Sequence, residues 1–444
     1  MSTQPALPLR VANGKPNPKP SAGQRALQDR QWRARYLLLA PHRLGFFLAM
    51  LLLLSSGAWW LLVQLDRVSA GLALPYALSP SLVHAAVMTF GFIPLFFSGF
   101  LFTAGPKWLG VPPPEVRQLM APLLLQATGW ALWLVGAHLH ALLAQAGLVL
   151  AWAGLAWATA WFWRLIRLSQ APDQLHARTV GVACLVGCLS LAGLLAGVAL
   201  QAHEVARASV LTGLWGFVLV VYVAVAHRMI PFFTSSAMPL VAVWRPFWAL
   251  GLMLGVAAFE VAAVWVELNG PLQGSLGAAW LLARGLLELA AGAMLLWLAV
   301  VWGLVQSLKN RLLAMLHIGF LWFGLALVLA GLSQLLGWLQ GAPVLALGGL
   351  HALTMGCLAS LMFAMVTRVS CGHSGRALVA DRLVWTLFWL LQAATVLRIA
   401  AAAPSALGAW LLLLAALLWA SVMTVWGVRL AGWYGRLRAD GRAG

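Results

Sequence analysis

Acidic side chains are nearly missing from this chain. Asp and Glu together number 10 in 444 residues, against 28 Lys and Arg, and charged residues make up only 9% of the sequence. A soluble domain of this length needs a far more polar surface, so that class is excluded. Cysteine is equally scarce. Cys184, Cys188, Cys357 and Cys371 form no Cys-x-x-Cys spacing, which removes the usual zinc and dithiol motifs. Cys184 and Cys188 are four apart and share a helix face, where small apolar packing competes with a soft-metal contact. The alternation of a membrane β-barrel is absent.

What the chain does have is hydrocarbon. It is 63% hydrophobic with a mean hydropathy of +0.91, and apolar runs of roughly eighteen residues or more recur from residue 44 onward. The fold class is therefore all-α: a polytopic membrane protein. Twelve spans are expected, at 44–65, 81–105, 118–138, 143–165, 178–200, 206–229, 244–266, 278–305, 312–338, 344–367, 383–402 and 407–430. Twenty-five Trp against four Tyr fits interfacial belts, as at Trp59, Trp60, Trp161 and Trp163.

The net charge of +18 suggests nucleic acid until its distribution is read. Residues 1–40 carry Arg10, Lys15, Lys19, Arg25, Arg30, Arg33 and Arg35 among Pro, Gln and Gly, the composition of a disordered basic arm. Most other cations fall in alternate loops, at Lys107 and Arg117, Arg164 to Arg178, Arg228 and Arg245, Lys309 and Arg311, and Arg368 to Arg382. That asymmetry is the positive-inside pattern, which places both termini in the cytoplasm and makes the bilayer, not nucleic acid, the partner. A transmembrane domain over 41–432 and a short tail over 433–444 complete the division. The first span is too long for a cleaved signal and reads as an anchor.

Two spans open with the same phrase. His84-Ala85-Ala86-Val87-Met88 begins span 2 and His351-Ala352-Leu353-Thr354-Met355 begins span 10. An imidazole in hydrocarbon is costly and marks a functional candidate, although a hydrogen bond to a neighbouring helix is the plainer account of either alone. Two of them, on helices running in the same direction, suit axial ligation of one haem iron. Gly91, Gly99, Gly348, Gly349 and Gly356 offer room for a flat macrocycle. Taking Pro80 and Pro343 as helix starts places His351 about 6 Å deeper than His84, a mismatch that tilt would have to absorb. Met88 and Met355 lie a turn deeper, and two imidazoles with two thioethers also suit Cu(I).

Arg284 and Arg398 fall toward the same side, where the carboxylates of a haem would need cations. A local ion pair of Arg284 with Glu288 is the competing account, and Glu260 lies within span 7. At the opposite face, spans 2, 6 and 10 end in Lys107, in His227 and Arg228, and in Thr367, Arg368, His373 and Arg376. These ends are expected to meet as a polar cluster, with simple membrane anchoring as the alternative. His42, His138, His140, His176, His203 and His317 read as interfacial, with a loop copper site at His138 and His140 as the outsider.

The stretches LLAPHRLGFFLAMLLLL, HAAVMTFGFIPLFFSGFLFTAGPKWLG, HRMIPFFT and HALTMGCLASLMFAMVTRVSCGHSGRAL resemble the NnrS family of bacterial inner-membrane proteins, over about residues 36 to 430. The resemblance implies haem b and copper, and a role in the nitric oxide response and denitrification. It departs at span 2, where the family's usual His-x-His-Glu-Met reads His84-Ala85-Ala86-Val87-Met88, which weakens a copper site there. The arginine-proline usual before span 1 is replaced by His42-Arg43-Leu44-Gly45. More distantly, the chain is similar to the haem–copper oxidase subunit, whose spans 2 and 10 supply a His pair. It lacks that family's second span 10 His, replaced by Gly349, and its adjacent His on span 7, while His227 sits at the wrong end of span 6. Electron transfer or redox sensing with an unknown donor is then expected, with any enzymatic role confined to nitrogen-oxide oxidoreduction. The alternative is a transporter of copper, haem or a small solute.

Overall fold

The computed structural model describes residues 31–69, 71–238, 243–341, 344–345 and 347–440. Among the described residues there is no strand, and twelve helices are long and apolar enough to cross a membrane. They are α1 (Pro41–Ser69), α2 (Pro80–Leu109), α3 (Val116–Leu139), α4 (Ala141–Leu168), α5 (Leu175–Ala199), α6 (His203–Ala237), α7 (Phe247–Val266), α8 (Gly274–Val301), α9 (Arg311–Gln340), α10 (Gly348–His373), α11 (Arg382–Ala400) and α12 (Gly408–Tyr434). All twelve match the expected spans. Their ends run a few residues past the apolar windows because capping residues and basic side chains extend the helical backbone into polar surroundings.

Capping explains several of those ends. Asn310 accepts from the backbone N–H of Leu312 and Leu313 to start α9, and Asp381 accepts from Val384 to start α11. Glu115 and Gln118 form a reciprocal capping box at the head of α3. Gly110 and Gly341 take left-handed conformations where α2 and α9 stop, a geometry that a side chain would strain.

Lipid tails are as apolar as leucine, so close backbone approach at small residues must hold the helices together. The α3–α4 hairpin meets through Gly129, Gly136, Gly147 and Gly154. A Cβ built on Gly129 would lie 2.5 Å from the Ala151 nitrogen and 2.5 Å from the Gly147 oxygen. The α8–α9 pair repeats the device, with Gly285 against Gly331 and Gly292 against Gly324. In α1 and α2, Gly45 approaches Gly99 so closely that a Cβ would lie 2.8 Å from its Cα.

Enclosure is unequal. The hydrophobic window of α2 is the most buried, followed by α10, with α6 and α9 next. These helices form the interior, and their neighbours present leucine and tryptophan outward, as at Leu189, Trp157, Trp248 and Trp410. The first thirty residues of the basic arm lie outside the described residues. Its last part folds back: Ala34–Leu39 is a 3-10 turn, with Tyr36 and Leu37 buried. Trp32 donates its indole N–H to Ala431 at 3.1 Å and the Arg33 backbone N–H donates to Gly435 at 2.8 Å, tying this segment to the end of α12.

Replacing Gly129 with Leu is expected to cost at least the ~1–3 kcal/mol typical of overpacking, because the obstruction is backbone. Gly251→Leu, on an open face of α7 with nothing within 4 Å, should be neutral. Thermal midpoints of the two variants in detergent, by fluorescence-detected size exclusion, should separate; equal midpoints would refute the packing account.

Candidate functional site

Three of the four most enclosed helices share a local irregularity. Regular α geometry gives way to a π turn over Val87–Gly91 in α2, Leu214–Leu219 in α6 and Ala352–Ala359 in α10. A π turn bonds i to i+5, widens the helix and re-aims the side chains below it, and such turns concentrate at functional sites. Residues from all three turns, among them Met88, Leu214, Thr354 and Met355, line one cavity of about 1430 Å³. That exceeds the roughly 300–1,000 Å³ of an ordinary small-molecule site.

The six membrane-embedded candidates all border this cavity: His84, His351, Met88, Met355, Arg284 and Arg398. Counted from the observed helix starts, the mismatch between the histidines shrinks to one residue. Helix α10 begins at Gly348, not near Pro343, which itself lies outside the described residues. His351 is therefore three residues into its helix and His84 four. Both imidazoles and Arg398 line the same cavity.

Ring orientation is set locally. The His351 Nδ1 lies 2.9 Å from the Leu347 carbonyl oxygen, an acceptor only, so Nδ1 carries the proton and Nε2 presents a lone pair. His84 stacks on Trp60 at 3.8 Å and 15°, and its Nδ1 is buried without a hydrogen-bond partner. An unpartnered buried imidazole nitrogen is the kind of atom that an absent ligand would satisfy.

The two arginines have different fates. Arg398 is half-buried on the cavity wall, with no carboxylate partner among the described residues, and remains suited to an anionic group. Arg284 does not. Expected beside it as a second clamp for an incoming carboxylate, Arg284 is already engaged by three carboxylates of the chain itself. Its Nε reaches Glu288 at 2.9 Å, Nη1 reaches Glu267 at 2.7 Å and Nη2 reaches Glu260 at 2.8 Å. The glycine expectation also needs correction. Gly99 packs against Phe46 and Gly356 against Trp322, so they serve helix contact; Gly349 does border the cavity.

The opposite ends of α2, α6 and α10 do meet, though not around one centre. Arg228 of α6 lies over Trp108 of α2 at 5.2 Å, and Arg368 of α10 lies over Phe233 of α6 at 3.9 Å. His373 lies close to Lys107, and its ring centroid is 4.4 Å from that of His42 of α1, tilted by 44°. His227 turns aside to His176, at 3.0 Å, and to the Pro246 carbonyl. Thr367 accepts from Trp426, and Arg376 lies over Trp433, both on α12. Burial holds the Arg376 guanidinium below its ordinary pKa. The cluster is thus a set of pairwise latches.

Sequence reading missed Trp60, Glu267 and the His42–His373 contact. Trp60 was placed only in an interfacial belt, and no local pattern pairs residues so far apart. His138 and His140 are not poised for copper: His138 accepts from Trp59 and donates to the Pro75 carbonyl, and His140 caps α4. Among the described residues no group of three or more His, Cys, Asp or Glu converges on a metal position.

The arrangement defines a class: a polytopic helical membrane protein with a large cavity at one end of the bundle, walled by paired histidine–methionine helices. A family model described as NnrS protein matches residues 36–438, nearly the whole chain, and the chain belongs to that family. A comparison with curated proteins returned no match.

Arg284→Met leaves three carboxylates uncompensated, and losing one partner of a buried ion pair costs about 3–5 kcal/mol. The variant should melt earlier than the parent at neutral pH. The deficit should shrink as pH falls, since protonation removes the unpaired charges; a deficit independent of pH would contradict this.

Proposed function

We propose that this protein binds a haem b between α2 and α10, which His84 and His351 would hold, and acts in the nitric oxide response in the bacterial inner membrane. The observation that carries the reading is that both imidazoles border one cavity at helix depths one residue apart. Membership of the NnrS family supports the physiological setting.

The chain's own groups fit such a ligand. Leu347 fixes the His351 tautomer through its carbonyl, leaving Nε2 available, and outer-shell bonds of this kind orient a ligand and raise its basicity. Trp60 holds the His84 plane by stacking. Arg398 supplies a cation for propionate carboxylates, and Arg67, which also borders the cavity, supplies a second in place of Arg284. Bound there, the haem would supply one-electron redox chemistry. A haem held by two histidines would suit electron transfer or redox sensing better than direct reduction of nitric oxide. Both termini then lie in the cytoplasm, by the distribution of cations.

A second reading rests on Met88 and Met355, which border the same cavity. With His84 and His351 they form a soft donor set for Cu(I), as a copper-handling protein or transporter would need.

The optical spectrum of the detergent-purified chain, read with its metal content, separates the two. A Soret band and a sharp reduced α-band, each lowered at least tenfold in His84→Ala and in His351→Ala, are expected. Full haem occupancy in both variants overturns the ligand assignment. Stoichiometric copper without Soret absorption selects the copper reading.

A further inference from the structure

The arginine-centred cluster at the cavity edge has one guanidinium for three carboxylates. Arg284 donates three hydrogen bonds, one each to Glu260 Oε2, Glu267 Oε1 and Glu288 Oε1. Glu267 also accepts from the Trp280 indole at 2.7 Å and is the most solvated of the three, with a side chain 29% exposed. It is a sufficient counterion for Arg284. One cation cannot also balance both Glu260 and Glu288, whose side chains are only 3% and 1% exposed.

Two further facts concern that pair. Glu260 Oε1 and Glu288 Oε2 are buried with no hydrogen-bond partner. Both carboxyl groups are also held on adjacent donors of one guanidinium, Glu260 on Arg284 Nη2 at 2.8 Å and Glu288 on Arg284 Nε at 2.9 Å, which brings them side by side. Ionised carboxylates are acceptors only, so two in contact cannot bond unless a hydrogen lies between them. Two adjacent anions in hydrocarbon are prohibitively costly, and a shared proton removes both the repulsion and the unsatisfied oxygens.

We propose that Glu260 and Glu288 bind one exchangeable proton between them, forming a proton-loading site on the wall of the cavity. Arg284 is the positioning residue: it holds both carboxyls by one oxygen each and leaves the other two to share. Exchange is open because Glu260, Glu267 and Arg284 border the cavity, whereas Glu288 sits behind them. The site is independent of what fills the cavity.

The surrounding groups leave that proton without a competing partner. From α7 come Glu260 and Glu267, and from α8 Arg284 and Glu288. Helix α9 meets α8 through glycines, and its titratable residues, Arg311 and His317, lie toward its other end. From the start of α6, His203, Glu204 and Arg207 border the same cavity, with Glu204 and Arg207 paired at 3.1 Å. His84, His351, Tyr222, Arg398 and Arg67 complete the charged or titratable lining.

Infrared difference spectroscopy of the full-length protein tests this directly. At neutral pH the parent should show a protonated-carboxyl C=O band that shifts in D2O. With only 10 acidic residues in the chain, few others compete for the assignment. Glu260→Gln and Glu288→Gln should each abolish the band, because each removes one of the two carboxyls that share the proton, while Glu267→Gln should keep it. A parent with no such band at neutral pH overturns the proposal, whatever the variants do. So does a band unchanged in both glutamine variants. A band absent from the parent but restored on removing sodium or calcium would show a metal cation in the proton's place, and would also overturn it.

Discussion

Hydrocarbon offers no water to a polar atom, so each such atom within the bundle must be matched by another part of the chain or by a ligand. Most of the structure follows from that constraint. Trp322 donates to Gln392, which donates in turn to Ser360; Ser370 bonds Tyr434, and Thr234 bonds His317. Against this background the exceptions are informative. His84 Nδ1 and the spare oxygens of Glu260 and Glu288 are buried without partners, and they belong to residues at or beside one cavity. They are three of ten such atoms among the described residues; Trp419 Nε1 also belongs to the cavity wall, and the remaining six lie on residues elsewhere in the bundle.

Three interior helices are locally widened where they line the cavity. A regular helix places residue i+4 beside residue i on one face, and ordinary packing would bring α2, α6 and α10 together along straight seams. The π turns displace that register in the same zone of all three helices. Elsewhere the glycine seams of α3 with α4 and α8 with α9 do the opposite, drawing backbones into contact. Tight peripheral hairpins around a loosened interior let a membrane protein keep a large void and still hold together.

Much of this was legible in the sequence. Apolar run length and alternating cations located twelve helices, and the repeated His-Ala-x-x-Met phrase marked two walls of the cavity. NnrS membership came from contiguous stretches and needed no geometry. The rest depends on contacts between distant segments. The Arg284–Glu288 spacing showed a pair, but Glu260 and Glu267 join it only because α7 and α8 pack side by side. The start of α10 was misplaced at Pro343, because a proline marks a helix boundary more strongly than the glycines at Gly348 and Gly349. The π turns left no trace in composition.

The seam between the first and last helices sets an order on assembly. Buried Arg43 donates to the carbonyls of Tyr434 and Arg436, at 3.2 and 2.6 Å, and Gly57 of α1 abuts Trp419 of α12. During synthesis α1 enters the bilayer eleven helices ahead of its partner. Until the final segment emerges, that guanidinium and the flank of α1 must be sheltered by lipid headgroups or by the insertion machinery. A chain terminated before α12 would be left as an open arc with an orphaned cation, an obvious substrate for membrane quality-control proteolysis.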